Sequence, residues 1–104
     1  MPAVARAYGN DTVLSPDGAG YKCRVPMNTS TSFSQQSKVR VQGIFVVVAG
    51  DPVAPHPRSG CVPDTSTLSS YSSKVRAVGK GIGRIGDRYG DNTIISGSSK
   101  VLAA

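Results

Sequence analysis

Tryptophan is absent from this chain, and the remaining aromatics make up only 6% of it. The core of a single 104-residue domain must then be thin and built from small aliphatic side chains, of which Val is the commonest. Long apolar runs are missing too. Nothing approaches the roughly 18 consecutive apolar residues that cross a bilayer as a helix. Met1-Pro2-Ala3-Val4-Ala5-Arg6 lacks the charged start and apolar middle of a signal peptide. Neither a transmembrane segment nor a leader is expected. No i, i+3, i+4 apolar spacing persists long enough to specify a helix. Catalytic constellations are also lacking: the single histidine, His56, has no serine nucleophile elbow around it. Gly79-x-Gly81-x-Gly83 has the look of a nucleotide loop but lacks the helix that such a loop must open. An enzyme is not expected.

Ser, Gly and Val are plentiful, a composition that favours short strands joined by turns. The net charge of +6 and a pI near 9.8 make nucleic acid or an anionic surface a candidate partner. Against that, Lys38, Arg40, Lys74 and Arg76 alternate with apolar residues, as the outward positions of strands do. Aromatic stacking platforms are poorly supplied as well, so nucleic acid is not the expected partner.

Repetition is the strongest signal in the chain. Gly43-Ile44-Phe45-Val46-Val47-Val48-Ala49-Gly50-Asp51 is echoed, 36 residues on, by Gly79-Lys80-Gly81-Ile82-Gly83-Arg84-Ile85-Gly86-Asp87. Ser37-Lys38-Val39-Arg40 and Ser73-Lys74-Val75-Arg76 precede them at the same shift. A third Ser-Lys-Val stands at residues 99–101, and a looser third copy of the longer piece opens the chain as Ala5-Arg6-Ala7-Tyr8-Gly9-Asn10-Asp11. One supersecondary unit used three times is expected. Each unit reads as an alternating strand, a Gly bend and a more apolar strand: Lys38–Val41 then Ile44–Ala49, Lys74–Val78 then Ile82–Ile85, and a shorter pair Thr93–Ser96 then Lys100–Leu102. The Asp of Gly50-Asp51 and Gly86-Asp87 reads as a turn former bonding to nearby amides. Between units lie long loops, 11–37 and 51–73, rich in Pro, Ser, Thr and Gly. Pro52, Pro55, Pro57 and Pro63 stiffen the second, and Ser66–Ser73 reads as a flexible connector.

Cys23 and Cys61 occupy near-equivalent places in the two long loops, and His56 stands five residues before Cys61. Thiolate and imidazole are ligands that Zn²⁺ prefers. On the residues alone three arrangements stay open: a metal site, a Cys23–Cys61 disulfide, or two thiols with a surface histidine.

Gly79–Asp87 resembles the Gly-Lys-Pro-Ala-Ala-Arg-Val-Gly-Asp signature of PAAR-repeat proteins, and Ile94-Ile95-Ser96-Gly97-Ser98-Ser99-Lys100-Val101 resembles that family's Ile-x-x-Gly-Ser-x-x-Val strand. The opening Met1–Arg6 is similar to the family's usual start. Gly81-Ile82-Gly83 stands in place of Pro-Ala-Ala, Val48 in place of the middle Arg, and Gly9-Asn10-Asp11 is one residue longer than Gly-Asp. The resemblance implies an all-β, small conical three-repeat domain, pseudo-threefold and with little or no helix. It implies a structural tip that caps the trimeric spike of a contractile injection machine, such as a phage tail baseplate or a type VI secretion system. The target-cell membrane is then pierced and touched only transiently, and the chain works in the virion tail or a related particle. It further implies an apical zinc ion held by Cys23, His56 and Cys61, with Asp64, Asp91 or water as a fourth ligand. A small basic β-barrel that binds nucleic acid is the alternative reading.

Overall fold

Gln42-Gly43 and Val78-Gly79 all have left-handed φ angles, between 53° and 79°, so each pair forms the type I′ turn whose twist matches a two-residue hairpin. In this computed structural model, which describes residues 2–15, 27–54 and 66–104, eight short strands are present and no helix. The fold is all-β. The two turns close the hairpins β3 (Arg40–Val41) with β4 (Ile44–Phe45) and β5 (Arg76–Ala77) with β6 (Lys80–Gly81). Val78 is β-branched and still left-handed, a conformation that such a residue adopts only under strain.

The three repeats meet in a closed ring. Ala5 N–H donates to the Gly83 carbonyl (2.9 Å), Gly83 N–H to Val47 (2.8 Å), and Val47 N–H back to Ala5 (3.2 Å). Two residues further along each segment the cycle repeats: Ala7 to Phe45 (2.8 Å), Ala49 to Gly81 (2.9 Å), Ile85 to Ala3 (2.9 Å). Each segment therefore pairs with both others, through the bridges Val4↔Arg84, Arg6↔Val46 and Val48↔Ile82. Gly83 sits at this junction because a Cβ there would press within 3.1 Å of Leu68 and 3.2 Å of Val47. One valine side chain at this level leaves no room for another.

The Ser-Lys-Val segments line the outside of the ring in the same order. Val39, Val75 and Val101 carbonyls accept from Val46 N–H (3.2 Å), Ile82 N–H (3.2 Å) and Val4 N–H (3.0 Å). The last pairing differs from the sequence expectation. Residues 100–102 do not pair with Thr93–Ser96; their partner is the start of the chain, through Ala3↔Leu102 and Ala103 N–H to Pro2 O (2.9 Å). The third repeat is thus built from both ends of the chain. In a closed ring the unit that follows the last one is the first.

A second layer follows the Asp of each repeat. β1 (Thr12–Ser15) pairs with β2 (Met27–Ser30), Pro52 and Val53 fold against Thr67 and Ser66, and β7 (Arg88–Tyr89) pairs with β8 (Asn92–Ile94). These hairpins also close cyclically, by Thr31↔Val53, Leu68↔Tyr89 and Val13↔Ile94. The long loops are therefore partly hairpin. Ser66–Ser73 is no free connector, since Leu68 and Ser72 are buried. Pro52 does limit its hairpin to isolated bridges, as a residue without an N–H must.

The core follows the symmetry. Around the ring pack Val4, Val46 and Ile82 with Val41, Ala77 and Ala103; in the second layer Val13, Val53 and Tyr89 fill corresponding places. Val46–Val48 are buried, while Ile44 and Phe45 are half-buried. The molecule measures 38 × 23 × 22 Å. Two nearly equal short axes are what a pseudo-threefold axis along the length gives.

Candidate functional site

Each Ser-Lys-Val motif is turned outward by the residue before it. Gln36 Oε1 accepts from the N–H groups of Lys38 (2.9 Å) and Val39 (2.8 Å). Ser72 Oγ accepts from Lys74 (3.1 Å) and Val75 (2.8 Å), and Ser98 Oγ from Lys100 and Val101 (both 3.1 Å). These three acceptors are buried, and each pairs with two of the six amides. The outcome is a set of three exposed lysines and three valines with matching exposures of 38, 39 and 38%. Charge and apolar contact are offered in triplicate about one axis.

The Asp residues form a second triplicate element. Each carboxylate accepts from a backbone N–H earlier in its repeat: Asp11 from Arg6 (2.6 Å), Asp51 from Val48 (2.8 Å), Asp87 from Arg84 (2.8 Å). This is the turn-forming role expected from sequence. Each also meets a serine hydroxyl from another segment, Ser96 at Asp11, Ser34 at Asp51 and Ser70 at Asp87. Arg6 and Arg84 add two-point ion pairs to their Asp partners, at 2.9–3.1 Å. Those hydrogen bonds, more than charge, hold both guanidiniums more firmly protonated, against the opposing effect of burial. Val48 leaves Asp51 without such an arginine. Burial consequently dominates at Asp51 and raises its pKa above the ordinary carboxylate value, although bonds from Val48 N–H, Gln35 N–H and Ser34 and the charge of Lys80 oppose it.

Sequence reading found the Ser-Lys-Val copies but missed the buried acceptors and the serine–aspartate contacts. Their signal was present: Ser34 and Gln36 precede Ser70 and Ser72 by the same 36 residues. The third Asp departs from that spacing. Arg6 and Asp11 are five residues apart where Arg84 and Asp87 are three, and left-handed Tyr8 and Gly9 take up the difference.

Cys23, His56, Cys61 and Asp64 lie outside the described residues, in segments 16–26 and 55–65. The strand ends that flank those segments are described. Ser15 pairs with Met27, and Ala54 N–H donates to Ser30 O (3.1 Å), so the two segments spring from adjoining strands. Asp91 occupies the exposed turn between β7 and β8, the third hairpin of that layer. Among the described residues no helix is long and apolar enough to cross a membrane. No protein-family model and no curated protein matches this chain.

Proposed function

We propose that this chain is the structural tip of a trimeric spike in a contractile injection machine, a PAAR-like protein of a phage tail baseplate or related particle. The observation that supports it is the cyclic hydrogen bonding of Ala5, Val47 and Gly83 within one polypeptide. A trimer ends on a threefold axis, and a single-copy cap must present the same groups three times to satisfy all three subunits. Lys38, Lys74 and Lys100, with Val39, Val75 and Val101, are such groups. A ring-closed prism with no free repeat also has the stiffness that a membrane-piercing point needs.

The resemblance adds a zinc ion at the far end, held by Cys23, His56 and Cys61. Two thiolates and an imidazole fit zinc better than calcium or magnesium, which take oxygen alone. The adjoining anchors of segments 16–26 and 55–65 are compatible with donors from both reaching one ion. When bound, the metal would cross-link segments 16–26 and 55–65.

The test is native mass spectrometry of the chain mixed with its cognate spike. One copy per trimer is expected, with complex formation lost when Lys38, Lys74 and Lys100 are all replaced by Glu. Three copies per trimer, or none, would overturn the reading.

A further inference from the structure

On a body built from three near-identical repeats, a feature present once serves neither the ring nor a symmetric partner. The first arm carries one. Arg40 stands opposite Phe45 across β3–β4, with its guanidinium carbon 4.5 Å from the ring centroid. Tyr8 lies against the same ring, centroids 6.1 Å apart and tilted by 54°. The corresponding pairs in the other arms are Arg76 with Gly81, beside which the Tyr71 ring packs, and Leu102 with Ala3; among the described residues neither arm sets a guanidinium over a ring. The ring junction therefore forms without Phe45.

Two properties of Tyr8 point outward from the fold. Its side chain is 56% exposed, although the protein is poor in aromatics and could have buried it. Its φ of 58° is left-handed, a place where Gly or Asn costs less than a bulky ring. The turn that absorbs the longer Arg6–Asp11 spacing thus leaves an aromatic ring facing outward. Arg40 makes no ion pair among the described residues, and the chain around it carries a net charge of +6. A free aromatic face beside an unpaired guanidinium fits a flat ring joined to a negative charge.

We infer that this arm binds single-stranded nucleic acid, with one base stacked on Tyr8 and a neighbouring phosphate on Arg40. Stacking accepts any base, because each has a π face, and Arg40 over Phe45 is held in place by its cation–π contact. The rest of the positive surface draws the strand in. This binding is separate from spike capping: it uses one arm instead of three, and it is measured on the free chain.

Fluorescence anisotropy of a labelled oligothymidylate, with an oligouridylate alongside, tests it at low and moderate salt. Binding by either strand is expected to weaken about tenfold in Tyr8→Ala, the loss of one stacked base, and to be restored in Tyr8→Phe. Arg40→Gln should make the salt dependence shallower by about 0.7 in log–log slope, the value for one single-strand phosphate. Arg76→Gln, at the same place in an arm without a guanidinium over a ring, should leave the Tyr8 dependence unchanged. Tyr8→Gly separates folding from binding, since it relieves the left-handed strain and should melt no lower while binding as weakly as the alanine variant. Equal affinity of wild type and Tyr8→Ala would reduce the surface to unspecific charge and overturn the proposal. So would binding to heparin with none to either oligonucleotide, which would assign the patch to an anionic glycan.

Discussion

Two buried polar groups break the symmetry at single positions. Where two repeats place Val13 and Val53, the third places Tyr89, whose hydroxyl is buried and makes no hydrogen bond among the described residues. Burial, and then the charges of Asp51 and Asp11, push its pKa far up, so the phenol stays neutral. An unsatisfied buried hydroxyl costs free energy that a phenyl ring of nearly the same shape does not. Tyr89→Phe is expected to stabilise the protein by about 1 kcal/mol in chemical denaturation. A loss of that size would instead show that the hydroxyl has a partner. Asp51 is the second group. Its folded-state pKa is raised above the unfolded value, so its contribution to stability is present below the unfolded value and is lost as pH rises through the folded one. Asp51→Asn removes that dependence. The wild-type minus variant difference in stability should therefore fall as pH rises from the ordinary carboxylate range, which urea titrations at a series of pH values would measure. A difference that rises with pH would contradict the assigned burial.

At the level of elements, the third hairpin is the informative one. β3–β4 and β5–β6 each have a two-residue turn, whereas Ala103 and Pro2 pair across the two ends of the chain. Around the ring only Ala104 and Met1 separate that pair, which is the number of residues the other two turns contain. A circular permutant that joins Ala104 to a glycine in place of Met1, and opens between Gln42 and Gly43, should fold. Its melting temperature should lie within about 10 °C of the parent, since every pairing is kept and only one turn is exchanged for another. An unfolded permutant would mean that the β3–β4 turn is needed to start the ring and cannot be replaced by its equivalent. The same logic accounts for Gly81, where a Cβ would collide with the Tyr71 ring and the Ser72 carbonyl. In the third arm Gly97 lies against Ala3, where a Cβ on the glycine would come within 3.0 Å of the Ala3 Cβ.

At the scale of the whole molecule, the described fold rests on the closed ring of Ala5, Val47 and Gly83 and on the hairpin layer that follows it. Under the proposal that Cys23, His56 and Cys61 hold zinc, removing one of them should leave this ring folded, since none of its hydrogen bonds involves those residues. Cys61→Ser is expected to lose stoichiometric zinc in elemental analysis and to melt at a lower temperature, while its far-UV circular dichroism stays that of a β protein. Protein that is metal-free as purified, with Cys23 and Cys61 in a disulfide, would remove the metal from the proposal without affecting the fold.

The all-β class, the three repeats and the turn role of Asp51 and Asp87 were legible in the sequence, because each rests on bonds between residues a few positions apart. A type I′ turn needs its Gly next to it, and a Ser-Lys-Val segment needs an acceptor just before it, so the pattern recurs wherever the unit does. The sequence also carried the signal for Ser34 and Ser70, hidden in a 36-residue register that extends further than its most visible words. Tertiary structure alone decided three things. It joined residues 100–102 to the chain start instead of to Thr93–Ser96, since a closed ring gives no local mark of where it is cut. It made Val48 consequential, by burying Asp51 without an arginine. And it set Tyr8, Phe45 and Arg40 side by side, from two segments whose nearness depends on a bridge between Arg6 and Val46 that no short-range rule specifies.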